Sequence, residues 1–301
     1  MRRIELRKAD FDLKKLGPKT VEDGSKGFKN PSWSGKASDD PKARRGRFKF
    51  AQEIDFQELI TESFVGYEDG VQRIAYKVLD WDTGDMVSAL HGIDYAVADR
   101  VSGMISNSAI FGYMPKRLPY QDFCRVAAMA STSPQEHEVI CHYADKVANE
   151  YRKLCPEDFA RHQGVVGEVP ASWKLEGTPF TSGIVNKDNQ LPYHFDSGNF
   201  KTAKSCMLTF KHQVQGGHLS IPEYGIGLEV ANNSLLIFDG AIALHGVTPI
   251  HKEGPMAYRY SVVYYSLQQM WKCMTPAEEL ARVRKRKTER EFRRATGEAA
   301  S

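Results

Sequence analysis

Asn233–Pro249, NSLLIFDGAIALHGVTP, decides the fold. It opens with a short apolar run, Ser234–Phe238; Asp239 and Gly240 then turn the chain, and His245–Ile250 starts a second run. Apolar runs this short, closed by turn residues, belong to strands rather than helices. The same texture extends outward from them. Phe180–Asn186, Cys206–Lys211, Gly217–Ile221 and Gly227–Val230 precede the stretch and Arg259–Leu267 follows it, with Gly, Asn, Pro or Asp between most of them. Many short strands unbroken by helices predict two packed sheets, a sandwich or jelly roll, over about residues 179–271.

The same segment carries chemistry. His245 has a counterpart in His194-Phe195-Asp196, which ends 49 residues earlier, enough for several strands and a return across the barrel. Residues two apart on a strand face the same side, so His194 and Asp196 are expected to point inward and Phe195 away. Two imidazoles and one carboxylate hold three corners of an octahedral ferrous ion and leave the others open for a co-substrate and dioxygen. Arg259 lies 14 residues beyond His245, on the next strand. Its planar fork suits the far carboxylate of 2-oxoglutarate, and Ser261, on the same face, can donate to that group. The combination reads as an Fe(II), 2-oxoglutarate and O2 site. A His-x-Asp pair alone arises by chance; its company gives it weight. His212, His218 and His251 lack the spacing of zinc ligands and are read as non-ligands. Neither a Gly-x-Ser-x-Gly elbow nor a phosphate-cradling glycine loop is present, so hydrolase and nucleotide-binding readings have no support.

The flanks differ from this core. The chain has 301 residues, 41% hydrophobic and 26% charged, an ordinary globular composition. No stretch approaches the roughly 18 apolar residues of a membrane span. Five scattered cysteines without a Cys-x-x-Cys pair predict a reducing cytoplasm and no disulfide frame. The net charge of +3 divides into +8 over residues 1–50, −9 over 51–271 and +4 over 272–301. Residues 1–50, ending in the basic cluster Lys42–Arg47, read as a poorly ordered arm, residues 51–271 as the catalytic domain and residues 272–301 as a basic C-terminal helix. That helix opens with a capping box, Thr275 to Glu278, with Pro276 at its first position. Supporting helices are expected around Gly92–Val101 and from Pro134, capped by Ser133, to Cys155-Pro156. The architecture is therefore α+β. Basic ends on an acidic body suit a polyanionic partner, although charge alone is equally compatible with solvated tails.

Over about residues 105–270 the chain resembles the TET/JBP family of iron(II)/2-oxoglutarate nucleic-acid dioxygenases, especially its compact phage-type members. The resemblance is carried by His194-Phe-Asp196-Ser-Gly-Asn199, by Phe238-Asp-Gly-x4-His245-Gly-Val-x-Pro and by Arg259-Tyr-Ser261-Val-Val-Tyr264-Tyr265. It implies a jelly-roll (double-stranded β-helix) core, His194, Asp196 and His245 as iron ligands, and Arg259 with Ser261 as co-substrate clamp. It also implies that Asn199 and Tyr265 touch the substrate nucleotide, with Tyr264 or Tyr265 stacking on an extruded base. The implied reaction is hydroxylation of a pyrimidine 5-methyl group in DNA, first 5-methylcytosine to 5-hydroxymethylcytosine, with thymine to 5-hydroxymethyluracil as the alternative. A hydroxylase of the same fold acting on a protein or small molecule is a third reading. DNA is the expected partner, flipped or single-stranded, with no membrane and no obligate protein partner. One departure bears on the base: where TET enzymes place a His two residues after the matching Tyr, this chain has Leu267, which cannot hydrogen-bond a cytosine edge.

Overall fold

The computed structural model describes residues 1–10, 50–99, 105–117, 123–196 and 198–296. The basic cluster Lys42–Arg47 lies outside them. The C-terminal half folds as its texture predicts. Strands β8 (Ser182–Lys187), β9 (Ser205–His212), β13 (Ser234–Phe238) and β16 (Tyr258–Tyr265) form the centre of a ten-stranded sheet. The N-terminal half extends it on both sides. Strands β1 (Arg2–Glu5), β3 (Phe64–Glu68) and β4 (Val71–Val78) continue from β13, while β5 (Ala96–Asp99), β6 (Ile105–Met114) and β7 (Arg125–Val126) continue from β8. A smaller sheet faces it, with β14 (Gly246–Val247), β11 (Leu219–Ile221), β12 (Ile226–Leu228) and β2 (Glu58–Ile60) in that order. Strands β10 (Val214–Gly216) and β15 (Ile250–Lys252) pair separately.

Each face of the large sheet has its own core. On one side Leu208, Phe210, Leu235, Ile237 and Val262 are buried in one cluster with residues of helix α3 (Pro134–Leu154). That helix presents Ile140, Tyr143, Ala144, Val147 and Tyr151, the three-and-four spacing visible in the sequence. Each fully buried aliphatic side chain here contributes roughly 1.5–3 kcal/mol. On the other side Met207, Leu236 and Phe238 meet Leu219, Ile221, Leu228 and Val247 of the small sheet. This is the jelly-roll core, and the space between its sheets is where the site lies. Helices α1 (Gly84–Gly92), α2 (Met129–Thr132) and α4 (Pro156–Val165) support the first side, and α5 (Pro276–Thr296) closes the described chain.

Four expectations need correction. The helix expected at Gly92–Val101 is instead the end of α1 followed by β5, which pairs Ala96–Asp99 against Ser108–Ile105 of β6; tertiary pairing overrides an ambiguous local pattern. Arg2–Glu5 of the supposed arm is a strand, paired in parallel with Phe64–Tyr67, and buried Leu6 anchors it over Gly66, where a Cβ would collide with the Leu6 side chain. Ser133 does precede α3, but its hydroxyl accepts the Asp94 N–H (3.0 Å) instead of capping the helix. Cys124 and Cys273 form a disulfide across 149 residues of sequence, a pairing that local spacing does not reveal. At α5 the capping box is present: the Thr275 backbone donates to Glu278 (2.9 Å) and the Glu278 N–H returns to the Thr275 hydroxyl (3.4 Å).

Candidate metal centre and co-substrate pocket

His194 and His245 do not lie on long strands. They form a single antiparallel bridge, His194 N–H to His245 O at 2.9 Å and His245 N–H to His194 O at 3.2 Å, which sets the ring centroids 4.3 Å apart. The Asp196 N–H bonds Gly240 O (2.8 Å), tying the carboxylate to the turn after β13. The segment 194–196 and the turn leading to His245 are thus fastened together by their backbones. Donor atoms of His194, Asp196 and His245 all lie within 4.8 Å of one another, with Asp196 Oδ1 at 3.7 Å from His194 Nε2 and 4.0 Å from His245 Nε2. Among the described residues no other trio of His, Cys, Asp or Glu converges in this way.

The tautomers follow from the second nitrogens. His194 Nδ1 faces Pro192 O at 2.8 Å and His245 Nδ1 faces Ala243 O at 2.9 Å. A carbonyl only accepts, so both Nδ1 atoms carry hydrogen and both Nε2 lone pairs face the cluster. Burial, then the neighbouring His194, lowers the His245 pKa to about 4, which keeps its ring neutral at pH 7. Phe195, expected to point away, contributes to the cavity wall, because this segment is a bridge and not a regular strand. Gly240 is required by close approach: a Cβ there would overlap the Asp196 carboxylate. We expect Gly240→Ala to weaken iron binding by about 10–100-fold with the fold retained, as loss of a supporting contact does. Iron content measured after equilibration at fixed free Fe(II) checks this, and unchanged loading would remove Gly240 from the account.

A cavity of about 320 Å³ opens beside the trio. Strand β16 alternates across it: Arg259, Ser261, Val263 and Tyr265 line the cavity, while Tyr260, Val262 and Tyr264 enter the helix-side core. Arg259 is only 2% exposed, and its Nε and Nη2 have no hydrogen-bond partner. Burial lowers its pKa to about 10, against the opposing pull of Asp188, so it remains a cation at neutral pH. Gly217, at φ +65°, lets the backbone pass against this side chain; a Cβ would come within 2.8 Å of Arg259 Cδ and Nε. Buried donors left unmet in this way fit an anionic carboxylate, and the two-nitrogen, one-carboxylate set fits ferrous iron with open positions. Leu191, Met207, Leu219, Phe238 and Val247 supply an apolar wall.

Asn186 was missed at the sequence level. It stands opposite Ser261 in register on β8, and its Oδ1 accepts from Ser108 Oγ (2.8 Å) and Asn189 Nδ2 (3.2 Å). That fixes the amide so that Nδ2 donates to Ser261 Oγ (3.4 Å). The available signal was its place two residues from Ile184, on the strand face that lines the cavity.

At the other end lie Asn199, Tyr265 and Leu267. Asn199 Nδ2 donates to Ser205 Oγ (3.1 Å), and its backbone bridges to Leu267. Tyr264 is a correction. It is fully buried, its hydroxyl donates to Ile140 O (2.8 Å) and its ring meets Phe111 edge-on at 5.1 Å, so it belongs to the helix-side core and cannot stack on a base. Neither His212, stacked on Tyr258, nor His218, near Glu53 (3.6 Å), joins the trio.

Residues 109–268 match the Tet_JBP family, the oxygenase domain of the 2OGFeDO superfamily. Thymine dioxygenase JBP1 of Trypanosoma brucei brucei is 24% identical over 191 residues, 62% of this chain and 22% of that protein. The bifunctional helicase and thymine dioxygenase JBP2 of Trypanosoma cruzi is 28% identical over 227 residues, 72% of this chain and 20% of that protein. The chain therefore spans about a fifth of the length of these relatives. Among solved structures, NgTET1 in complex with 5mC DNA superposes with a TM-score of 0.54 over 75% of this chain and 90% of that one at 13% identity, a likeness of fold.

Proposed function

From this chain's membership in the TET/JBP family of oxygenase domains, which makes it an oxygenase dependent on Fe(II), 2-oxoglutarate and O2, we propose that it hydroxylates the 5-methyl group of a pyrimidine in DNA, thymine ahead of 5-methylcytosine. One observation carries the reading: the matched span 109–268 encloses the converging trio and the buried Arg259, whose Nε and Nη2 are without hydrogen-bond partners, together. In this reading His194, Asp196 and His245 hold the iron, and Arg259 with Ser261 holds the distal carboxylate of 2-oxoglutarate. When bound, these groups with dioxygen supply oxidative decarboxylation to succinate and CO2 and insertion of the second oxygen atom into a substrate C–H bond.

The chain's own side chains do the positioning. The Arg259 fork fixes the co-substrate, and Asn186 turns the Ser261 hydroxyl so that its proton is free to donate. The apolar wall of Leu191, Met207, Leu219 and Val247 keeps water from the space between. Asn199 and Tyr265 orient the base. A methyl group stacked inside a duplex cannot enter a cavity whose ligand His245 is buried, so the nucleotide must be flipped or presented single-stranded. Thymine is favoured by two things. JBP1 and JBP2 are named thymine dioxygenases, and Leu267 places a side chain without hydrogen-bonding capacity at the cavity. The 5-methylcytosine reading keeps its support in the likeness to the fold of NgTET1, whose structure contains 5mC DNA.

Mass spectrometry of nucleosides after incubation with methylated and unmethylated DNA tests the proposal. The expected product is 5-hydroxymethyluracil in both, dependent on added 2-oxoglutarate. Product confined to 5-hydroxymethylcytosine would select the second reading. Succinate release stimulated by peptide or free thymidine, and not by DNA, would overturn both.

A further inference from the structure

Helix α5 carries eight Lys and Arg against four Glu. At about 100° per residue, Arg282, Arg286, Arg290, Arg293, Arg294 and Lys287 fall within an arc of about 140°. The carboxylate inside that arc is Glu279, which is 2% exposed and held by Lys116 (3.2 Å), the Met274 N–H (3.1 Å) and Arg282 of the stripe itself (3.9 Å). Glu278, Glu289 and Glu291 lie outside it. From Arg284 to Thr296 every residue is exposed, so the helix leaves the body after its first turns and carries the stripe with it. Solubilising helices alternate opposite charges at i, i+4, where they pair. This helix has such pairs, Lys287 with Glu291 (3.9 Å) and, three residues apart, Arg282 with Glu279 (3.9 Å). But Arg282, Arg286, Arg290 and Arg294 also follow one another at i, i+4, and the repulsion between like charges so placed opposes the helix in water. A line of phosphate oxygens relieves it.

The root of the helix is held to the body, a few residues along the chain from the cavity wall. Cys273 is bonded to Cys124, and Trp173 Nε1 donates to Met274 O (2.6 Å). Five residues separate Leu267, which lines the cavity, from Cys273. Between them Trp271 is 53% exposed, yet held by its Nε1 bond to Val165 O (2.8 Å) and by edge contact with Phe200 at 5.4 Å. Phe200 directly follows Asn199. A rigid exposed aromatic and the start of the helix that carries the stripe therefore follow the cavity-lining Leu267 within about nine residues.

We infer that this stripe is a rail for DNA phosphates, holding the strand whose base enters the cavity; the inference rests on the DNA reading above for its partner. The test uses the full chain and two paired charge reversals of equal size, Arg286→Glu with Arg290→Glu on the stripe and Arg284→Glu with Lys285→Glu off it. Binding of a fluorescent DNA duplex of about 20 base pairs is followed by anisotropy over a range of salt. The stripe pair is expected to lose about tenfold or more in affinity and to flatten the log–log salt dependence by about 2, one for each lost phosphate contact. The off-stripe pair is expected to lose less than about threefold. Equal losses in both pairs, or an unchanged slope in the stripe pair, would overturn the rail, and so would stronger salt-sensitive binding to an acidic polypeptide than to DNA. Helix content from circular dichroism confirms that the pairs remain comparable. Failure of the unaltered chain to oxidise any DNA would sink the substrate reading separately, since binding is read without turnover.

Discussion

Asp196→Ala reduces succinate release by at least about 10³-fold while the melting temperature stays within a few degrees of the unaltered chain. Asp196 is the one carboxylate of the converging trio, its side chain is partly exposed, and both imidazoles keep their Nδ1 hydrogen bonds to Pro192 O and Ala243 O without it. The contact that positions it belongs to its backbone, Asp196 N–H to Gly240 O, and survives the substitution. What disappears is the only anionic donor, which leaves two neutral imidazoles to hold a hard, oxygen-preferring ion. Asp196→Asn is expected to restore little, because an amide brings no charge. Succinate formation at the normal rate by the Ala variant would overturn the ligand assignment.

Arg259→Met has two effects of opposite sign. It raises the half-saturating concentration of 2-oxoglutarate by about 10²–10³-fold, the size expected for losing a two-pronged charged contact in a dry pocket. Yet the ligand-free protein becomes no less stable and gains about 1 kcal/mol or more. Arg259 is buried with Nε and Nη2 unpartnered, and an apolar side chain of similar length relieves that cost. Thermal melts with and without 2-oxoglutarate separate the effects. The unaltered chain melts higher with the ligand, whereas the Met variant starts as high or higher and does not respond. A Met variant that melts far lower, or still responds to 2-oxoglutarate, would show that Arg259 is a structural cation and not the clamp.

The trio and Arg259 were legible because their chemistry is carried by residue type, and because β13 and β16 fold locally as their patterns read. Their mountings were less legible. Treating His194-Phe195-Asp196 as a strand correctly paired the outer two residues but wrongly sent Phe195 away, since a one-pair bridge has no pleat to enforce alternation. Tyr264 was avoidable: once Arg259 and Ser261 face the cavity, alternation along β16 puts Tyr265 with them and Tyr264 opposite. The Cys124–Cys273 bond depends on a partner 149 residues away, which no local window contains, while β5 owes its form to pairing with the neighbouring β6, which its own apolar spacing does not show. Asn186 looked like the end of an ordinary strand because its meaning comes from Ser108, Asn189 and Ser261, brought together only by the sheet.

The convergence of two imidazoles, one carboxylate and a guanidinium pocket on one site is tested most directly by anaerobic titration with Fe(II) and 2-oxoglutarate, followed by visible absorption. The account predicts a weak charge-transfer band that saturates at one iron and one 2-oxoglutarate per chain, and that is absent from both Asp196→Ala and Arg259→Met at the same concentrations. A band of full intensity in either variant, or none in the unaltered chain, would contradict it.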